Sequence, residues 1–295
     1  MKILLTGATG QVGWELARTL LPLGEVIAVN RDQADLADLN ALRAVIWQHK
    51  PNVIVNPAAY TAVDKAETEQ ELAFLVNAEA PCVLAEEAKK IGALLIHYST
   101  DYVFDGTQSL PYTEEDRPNP INVYGQSKLA GEQAIQSVAC DYLILRTSWV
   151  YTGRGNNFLK TILRLAAERE ELKIVADQIG SPTWARLIAE TTAHIVRQAM
   201  LERQGNSFNS NIYHLTSSGS TSWHGFAQKI VDIVREQGKL ELKNRAIHPI
   251  PTTDYPLPAK RPANSRLSTH RLEQQFGLTL PSWDNALRLC MQEMD

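Results

Sequence analysis

The 295-residue chain is short of the features that mark a disulfide scaffold, a metal centre, a membrane span or a nucleic-acid surface. It has three cysteines, Cys82, Cys140 and Cys290, far apart, odd in number and without metal-ligand spacing. That excludes a disulfide framework and fits a reducing compartment. Its seven histidines are scattered and form no ligand pair. No lysine- or arginine-rich block appears, and the net charge of −4 offers no basic surface for nucleic acid. The first apolar run, Ile3-Leu4-Leu5, is too short for a signal peptide or a membrane span, so the expectation is a cytoplasmic protein. No repeat or low-complexity segment interrupts the chain.

What is present is an alternation of strand and helix signals. Ile3-Leu4-Leu5 is a continuous apolar run, as in a parallel strand covered on both faces. Thr6-Gly7-Ala8-Thr9-Gly10-Gln11-Val12-Gly13 follows, and then Trp14, Leu16, Ala17, Leu20 and Leu21 recur at helical spacing until Pro22 and Gly24. Glycines between a first strand and a first helix let the backbone approach a pyrophosphate, which then faces the positive end of the helix dipole. The spacing is Gly-x-x-Gly-x-x-Gly rather than Gly-x-Gly-x-x-Gly. Gly7, Thr9, Gly10, Gln11, Val12 and Gly13 are therefore the candidate cradle of a dinucleotide. The second strand, 25–29, ends at Asn30-Arg31 with no acidic residue for the ribose hydroxyls of NAD. Arg31 suits a 2′-phosphate, so NADPH is expected, with NADH as the alternative. Asp35-Leu36 either bracket the adenine or form a solvated turn.

A helix over 38–49 precedes a third apolar strand, Val53-Ile54-Val55, which runs into Asn56-Pro57-Ala58-Ala59-Tyr60-Thr61-Ala62-Val63-Asp64. In an open parallel sheet ligands bind beyond the carboxyl ends of the strands. Ala58, Ala59 and Tyr60 are thus candidates for a cofactor wall, and Thr61 and Val63 for a substrate wall. A long helical region over 65–91 contains Pro81, where a kink is expected; Asn77 in its apolar stripe reads as a buried structural amide. The next strand, 93–98, leads into Ser99-Thr100-Asp101-Tyr102-Val103-Phe104. After a loop over 105–121 comes Asn122-Val123-Tyr124-Gly125-Gln126-Ser127-Lys128 at the start of a helix. Four residues apart, Tyr124 and Lys128 share one helix face. A phenol alone, with a pKa of about 10, is a poor acid at neutral pH. A neighbouring ammonium is expected to lower it and make proton exchange practical. With the strand at 142–146, five strand–helix alternations predict an α/β fold, a Rossmann-like doubly wound parallel sheet.

Beyond residue 150 the pattern changes. A loop with Gly153, Arg154 and Gly155 precedes a helix over 157–169, and a strand at 172–175 leads to Asp177-Gln178-Ile179-Gly180-Ser181-Pro182-Thr183. Helices over 184–202, 223–237 and 283–294 and a strand at 212–215 complete the expected elements. Residues 1–150, with 184–216 returning to the sheet, read as the dinucleotide-binding domain. Residues 151–183 and 217–295 read as a smaller α/β C-terminal substrate-binding domain. Five prolines fall within 249–266, where Lys260, Arg261 and Arg266 either clamp a diphosphate or form a solvated basic loop.

Thr6-Gly-x-x-Gly-x-x-Gly13, Ser99-Thr100-Asp101 and Tyr124-x-x-x-Lys128 together resemble the extended short-chain dehydrogenase/reductases. Longer strings narrow the resemblance to the dTDP-4-dehydrorhamnose reductase family. They are Gly10-Gln11-Val12-Gly13-Trp14-Glu15-Leu16, the 56–67 and 99–106 segments, Asn122-Val123-Tyr124-Gly125, Arg146-Thr147-Ser148-Trp149-Val150-Tyr151 and the 261–267 segment. The resemblance runs the length of the chain. It implies an NADPH- or NADH-dependent reduction of a ketone at C4 of a nucleotide sugar. Tyr124 would supply the proton, Lys128 would lower the tyrosine pKa and hold the nicotinamide ribose, and Thr100 would bond the carbonyl oxygen. Asp101 and Tyr102 would bind the substrate, Trp149 would lie near the sugar, and Asn157, Phe158, Gln178 and the Arg261–Arg266 segment with Asn264 would contact the dTDP part. The related 4,6-dehydratases carry Asp-Glu after this threonine; here Tyr102 follows Asp101, which favours simple reduction. Some reductases of the family are magnesium-dependent, which makes Glu15 a candidate ligand, but Arg186 stands where a second carboxylate would be sought. Monomer and homodimer both stay open. Two further readings are a non-catalytic binding subunit, like the regulatory subunit of methionine adenosyltransferase, and an epimerase-reductase acting on another nucleotide sugar. The intact Tyr124, Lys128 and Thr100 argue for the enzyme.

Overall fold

Residues 1–238 and 240–294, which the computed structural model describes, alternate strand and helix from the start. The first half comprises β1 (Lys2–Leu5), α1 (Gln11–Thr19), β2 (Glu25–Ala28), α2 (Leu39–His49) and β3 (Val53–Asn56). Two short helices follow, α3 (Val63–Ala66) and α4 (Gln70–Phe74). A π-helical turn at Leu75–Glu79 then leads into α5 (Ala80–Ile91). β4 (Leu94–Thr100), α6 (Val123–Val138) and β5 (Tyr142–Thr147) come next. The second half holds β6 (Val150–Tyr151), α7 (Phe158–Glu168), β7 (Glu171–Val175), β8 (Ile179–Gly180), β9 (Thr183–Trp184) and α8 (Ala185–Gln204). It ends with β10 (Asn211–His214), β11 (Thr221–Ser222), α9 (Trp223–Gln237), β12 (Ala246–Ile250), α10 (His270–Phe276) and α11 (Trp283–Gln292).

Six strands form one parallel sheet in the order β10-β5-β4-β3-β1-β2. The chain steps outward from β1 to β2 and then returns to β3 on the other side. The carboxyl ends of β1 and β3 therefore diverge, which opens the crevice where doubly wound sheets bind ligands. Side chains alternate across the sheet as strand geometry requires. Ile3, Leu5, Val53, Val55, Leu94 and Ile96 pack under α1 and α8, while Leu4, Ile54, Leu95 and Ile144 pack under α2, α5 and α6. Each fully buried aliphatic side chain contributes about 1.5–3 kcal/mol, against about 0–1 kcal/mol for an exposed ion pair. These two layers, not the surface charges, hold the sheet in place. A third apolar cluster around Tyr151, Leu159, Phe226, Ile230 and Leu287 is the core of the C-terminal lobe.

Two features depart from the sequence reading. The long helix is not broken at Pro81 but widens one turn earlier, at 75–79. Proline lacks the N–H that would bond back into that turn, and the π turn absorbs the mismatch so that α5 restarts with Pro81 in its first turn. The widened turn also presses against α6: a Cβ on Gly131 would lie 2.1 Å from the Asn77 carbonyl oxygen. In addition, the proline-rich segment is preceded by β12, which pairs in parallel with β7, and is followed by α10. Neither was expected, because the prolines obscured both patterns. No described helix is long and apolar enough to cross a membrane.

Candidate active site

The glycine loop is shaped by contacts that no side chain could share. Gly7 adopts a φ of +56°, and a Cβ on Gly13 would stand 2.0 Å from the Gly7 carbonyl oxygen. The loop therefore folds flat against the start of α1, whose N-cap, Gly10, provides no side-chain acceptor for the first-turn amides. Those amides are left for an anion. A cavity of about 690 Å³ opens here, between the ends of β1 and β3. Every residue expected at the cofactor lines it except Asn30, whose side chain instead accepts from the Gln33 amide at 3.2 Å. Among the substrate candidates only Thr61 does so. The sequence reading missed Lys65, Glu69, Ser99 and Thr147 on the same wall. At the far tip Arg31 Nε donates to Asp35 Oδ2 at 3.1 Å, and Asp35 Oδ1 accepts from the Ala37 amide at 3.0 Å. The amide first, and then Arg31, holds the Asp35 carboxyl below its usual range against a small burial effect. Tyr60 donates to Glu69 at 2.6 Å, and this bond pushes the phenol up to about 12.

At the other end of the cavity, Tyr124 and Lys128 point from α6 toward the end of β4. The helix starts here because Asn122 caps it, accepting from the Gly125 amide at 2.7 Å while donating to the Lys260 carbonyl at 2.8 Å. Gly125 is required: a Cβ there would meet the Tyr102 carbonyl oxygen at 2.1 Å. That contact brings the 100–103 turn against the helix, with the Tyr102 and Tyr124 rings edge to face at 5.8 Å. Asn77 accepts from the Tyr60 amide at 2.8 Å and donates to Tyr60 O and Ser127 Oγ, both at 3.0 Å, tying the β3 loop to α6.

The electrostatics differ from the expectation in one respect. Lys128 does not depress the Tyr124 pKa. Burial dominates and pushes the phenol up to about 12, against a hydrogen bond with Thr100 that lowers it, while the Asp101 charge raises it further. The same burial brings Lys128 down to about 8, against the opposing pull of Glu132. The lysine Nζ is directed instead to the Tyr98 carbonyl, at 2.7 Å, and to His97 Nε2, at 3.3 Å. Thr100 Oγ1 donates to Asp101 Oδ1 at 3.0 Å and accepts from the Tyr102 amide at 3.1 Å. Burial lifts Asp101 to about 7, with hydrogen bonds from Ser265 and Thr100 opposing, and its Oδ2 has no partner among the described residues.

Aromatic groups wall the adjoining space. Trp149 is held at a φ of +46°, in the left-handed region that a bulky residue rarely enters. It stacks on Trp223 at 3.5 Å, and a Cβ on Gly180 would lie 2.5 Å from its ring. Trp223, which in the sequence reads only as a helix start, donates to Gln178 Oε1 at 3.2 Å and packs on Phe158. Three candidates are committed to the protein itself. Asn157 caps α7 through Lys160 N and donates to Thr152 O. Asn264 donates to Gln108 O and Leu110 O and accepts from Arg266. Arg261 makes two bonds to Asp64, at 2.8 and 3.0 Å. The basic segment is thus fastened by its own arginines, with Arg266 reaching the Ser109 carbonyl, and only Lys260 of the three cations is exposed. Val63 begins α3, beside Asp64.

The candidate magnesium ligand does not fit a cation. Glu15 is buried and accepts from Arg186 Nε at 3.1 Å, and the same guanidinium pairs with Glu293. A positive side chain already fills the space between the carboxylates. Among the described residues no three His, Cys, Asp or Glu side chains come together as a metal site. The glycine cradle, by contrast, suits an anionic dinucleotide: uncapped amides, a loop with no room for side chains, and Arg31 at the tip.

Comparison with known proteins agrees with this geometry. A family model described as the RmlD substrate binding domain matches residues 1–295. The dTDP-4-dehydrorhamnose reductase of Burkholderia thailandensis is 55% identical over 295 residues, covering 100% of this chain and 99% of that protein. That of Escherichia coli K12 is 46% identical over 298 residues, with 100% and 98% covered. The crystal structure of the Bacillus anthracis dTDP-4-dehydrorhamnose reductase in complex with NADP superposes with a TM-score of 0.87 at 35% identity, covering 99% of each chain.

Proposed function

The chain belongs to the RmlD substrate binding domain family, and from that premise we propose that it reduces the C4 ketone of dTDP-4-dehydro-β-L-rhamnose to dTDP-β-L-rhamnose at the expense of NADPH. The observation that carries the reading is that half-buried Tyr124 and buried Lys128 line one end of the cavity built on the glycine loop, with buried Thr100 hydrogen-bonded to Tyr124 behind that wall. Gly7 to Gly13 would hold the pyrophosphate, Arg31 the 2′-phosphate, Asp35 and Leu36 the adenine, and Ala58 and Ala59 would wall the dinucleotide. Bound there, NADPH supplies the hydride to C4. Thr100 would turn its proton from Asp101 Oδ1 to the ketone oxygen, and Tyr124 would give that oxygen a proton as the alkoxide forms. A phenol pushed up to about 12 stays loaded with its proton at neutral pH, which suits the reductive direction. The Lys128 ammonium would hold the nicotinamide ribose from the same cavity wall. Asp101, Tyr102 and Trp149 surround the sugar, with Trp223, Phe158 and Gln178 behind Trp149. The deciding assay mixes the purified protein with NADPH and dTDP-4-dehydro-L-rhamnose and follows nicotinamide absorbance. No consumption of NADPH sinks the proposal.

Two further outcomes are expected. Arg31→Ala loses a charge-assisted contact to the 2′-phosphate, about 1.5–3 kcal/mol, so the Kd for NADPH rises about 10- to 100-fold. The Kd for NADH changes little, because NADH has no 2′-phosphate for Arg31 to meet. Equal losses for the two cofactors, measured by fluorescence titration, would discard the 2′-phosphate role. Chelation is expected to leave the rate unchanged, because Arg186 supplies the charge between Glu15 and Glu293. A rate that falls in EDTA and returns with Mg²⁺ contradicts this.

A further inference from the structure

Behind Lys128 lies a row of buried polar groups that the reaction as described does not use. Lys128 Nζ faces His97 Nε2 at 3.3 Å; His97 Nδ1 faces Asn56 Nδ2 at 3.0 Å; Thr6 Oγ1 donates to Asn56 Oδ1 at 2.5 Å. Thr6, Asn56 and His97 are completely buried and Lys128 nearly so. The row crosses the sheet from α6 over the middle of β4 and the ends of β3 and β1. It stops at the residue that precedes Gly7. Asn56 and His97 are register partners on neighbouring strands.

A neutral imidazole has one donor and one acceptor, so this row has two complete hydrogen-bond arrangements. In one, Thr6 donates to Asn56, Asn56 donates to His97 Nδ1, and the Nε2–H meets a neutral Lys128 amine. In the other the Asn56 amide is turned over. Asn56 then donates to Thr6 and accepts from His97 Nδ1–H, and Nε2 accepts from a Lys128 ammonium. No carboxylate among the described residues joins the row. Burial holds His97 well below its ordinary range, with the Lys128 charge adding to the effect, so the ring stays neutral throughout.

We propose that His97 is a positioning residue for the reaction, acting through Lys128. Its Nε2 accepts from the ammonium and, with Tyr98 O, fixes Nζ, and Asn56 selects the His97 tautomer that fits the lysine charge. The inference rests on Tyr124 and Lys128 acting as described above. The groups that face Lys128 are His97 and the Tyr98 carbonyl from β4, Tyr124 and Glu132 on its own helix, and, behind Glu132, Arg146 of β5. Burial already brings Lys128 down to about 8. Removing an acceptor from a buried ammonium lowers it further. The charged form is the active one, so activity is kept below the lysine pKa and lost as pH rises through it. His97→Leu should therefore move the alkaline limb of kcat to lower pH by about one unit. Asn56→Asp, a fixed acceptor for Nδ1–H with a negative charge of its own, should move it to higher pH.

The test measures kcat and KM against pH for wild type, His97→Leu, His97→Gln and Asn56→Asp. In parallel, the wild-type imidazole nitrogens are followed by ¹⁵N NMR. His97→Leu is expected to lose about tenfold in kcat at about pH 9, where a one-unit shift tells in full, with both KM values within threefold. His97→Gln, whose amide oxygen can accept from Nζ, should recover most of that loss. The wild-type His97 signals should pass from the Nδ1–H to the Nε2–H pattern between pH 6.5 and 9.5. A single tautomer over that range overturns the proposal. So does a folded His97→Leu whose kcat is within twofold of wild type and whose alkaline limb is unmoved. If His97→Leu fails to fold, the wild-type tautomer and the Asn56→Asp shift decide. A wild type that consumes no NADPH with the dTDP sugar sinks the functional reading, while the tautomer result stands on its own.

Discussion

Tyr124→Phe is expected to lower kcat by about 10²- to 10⁴-fold, the usual scale for loss of a general acid, while leaving the cofactor Kd within a few-fold. The ring can stay because its surroundings are packing contacts: the edge of Tyr102 and the helix turn closed by Gly125. What disappears is the hydroxyl beside Thr100, and with it the proton that must reach the alkoxide. Thr100 alone still polarises the ketone, so a residual rate above background is expected. Single-turnover kinetics check this directly, because the loss must lie in the chemical step and not in product release. A Tyr124→Phe enzyme within a few-fold of wild type would remove the tyrosine from the mechanism. The direction of the pH effect is also fixed. With the phenol up at about 12 and Lys128 down at about 8, the donor is loaded across the neutral range. The limb that limits the wild type on the alkaline side is therefore the lysine's.

Much of this was legible because it depends on local chemistry. The glycine loop was readable since Gly7 and Gly13 occupy positions where the backbone admits nothing larger. The parallel sheet was readable since its strands are short continuous apolar runs between helical patterns. The Tyr124–Lys128 pair was readable from spacing alone. Its electrostatics were not, because they are set by burial and by residues far away in sequence. His97 lies 31 residues before Lys128, and it reaches Nζ only because α6 packs on β4. The same limit explains the nucleotide-side candidates. Arg261 has the right charge for a diphosphate, but Asp64, 197 residues away, is folded against it. Trp223 gave no signal beyond a helix start; its stacking on Trp149 depends on the left-handed turn at Trp149, and no residue pattern announces such a turn at a tryptophan. For Glu15 the sequence already set Arg186 in place of a second carboxylate, but not that α8 would lay that arginine across α1 and bury the glutamate.

The second large effect lies one turn below the lysine. Glu132 accepts from Arg146 Nε at 2.8 Å and Nη2 at 2.6 Å, with both side chains buried and the guanidinium over the Phe104 ring. Glu132 is the negative charge that opposes the effect of burial on Lys128. Glu132→Gln keeps the shape but leaves Arg146 and Lys128 as two buried cations without that counter-ion. Breaking one side of a buried pair costs about 3–5 kcal/mol, a large share of the roughly 5–15 kcal/mol that holds a domain together. Urea unfolding should show a loss of that size, and the alkaline limb of kcat should move to lower pH, because Lys128 loses its proton earlier. The double replacement Glu132→Met with Arg146→Met removes both charges and most of the desolvation penalty, so it should regain most of the stability. It should not regain the pH profile, since Lys128 still lacks its carboxylate. That split separates two roles that the single variant mixes: Glu132 balances Arg146 for folding and Lys128 for catalysis. A Glu132→Gln protein within about 1 kcal/mol of wild type, with its alkaline limb in place, would deny both.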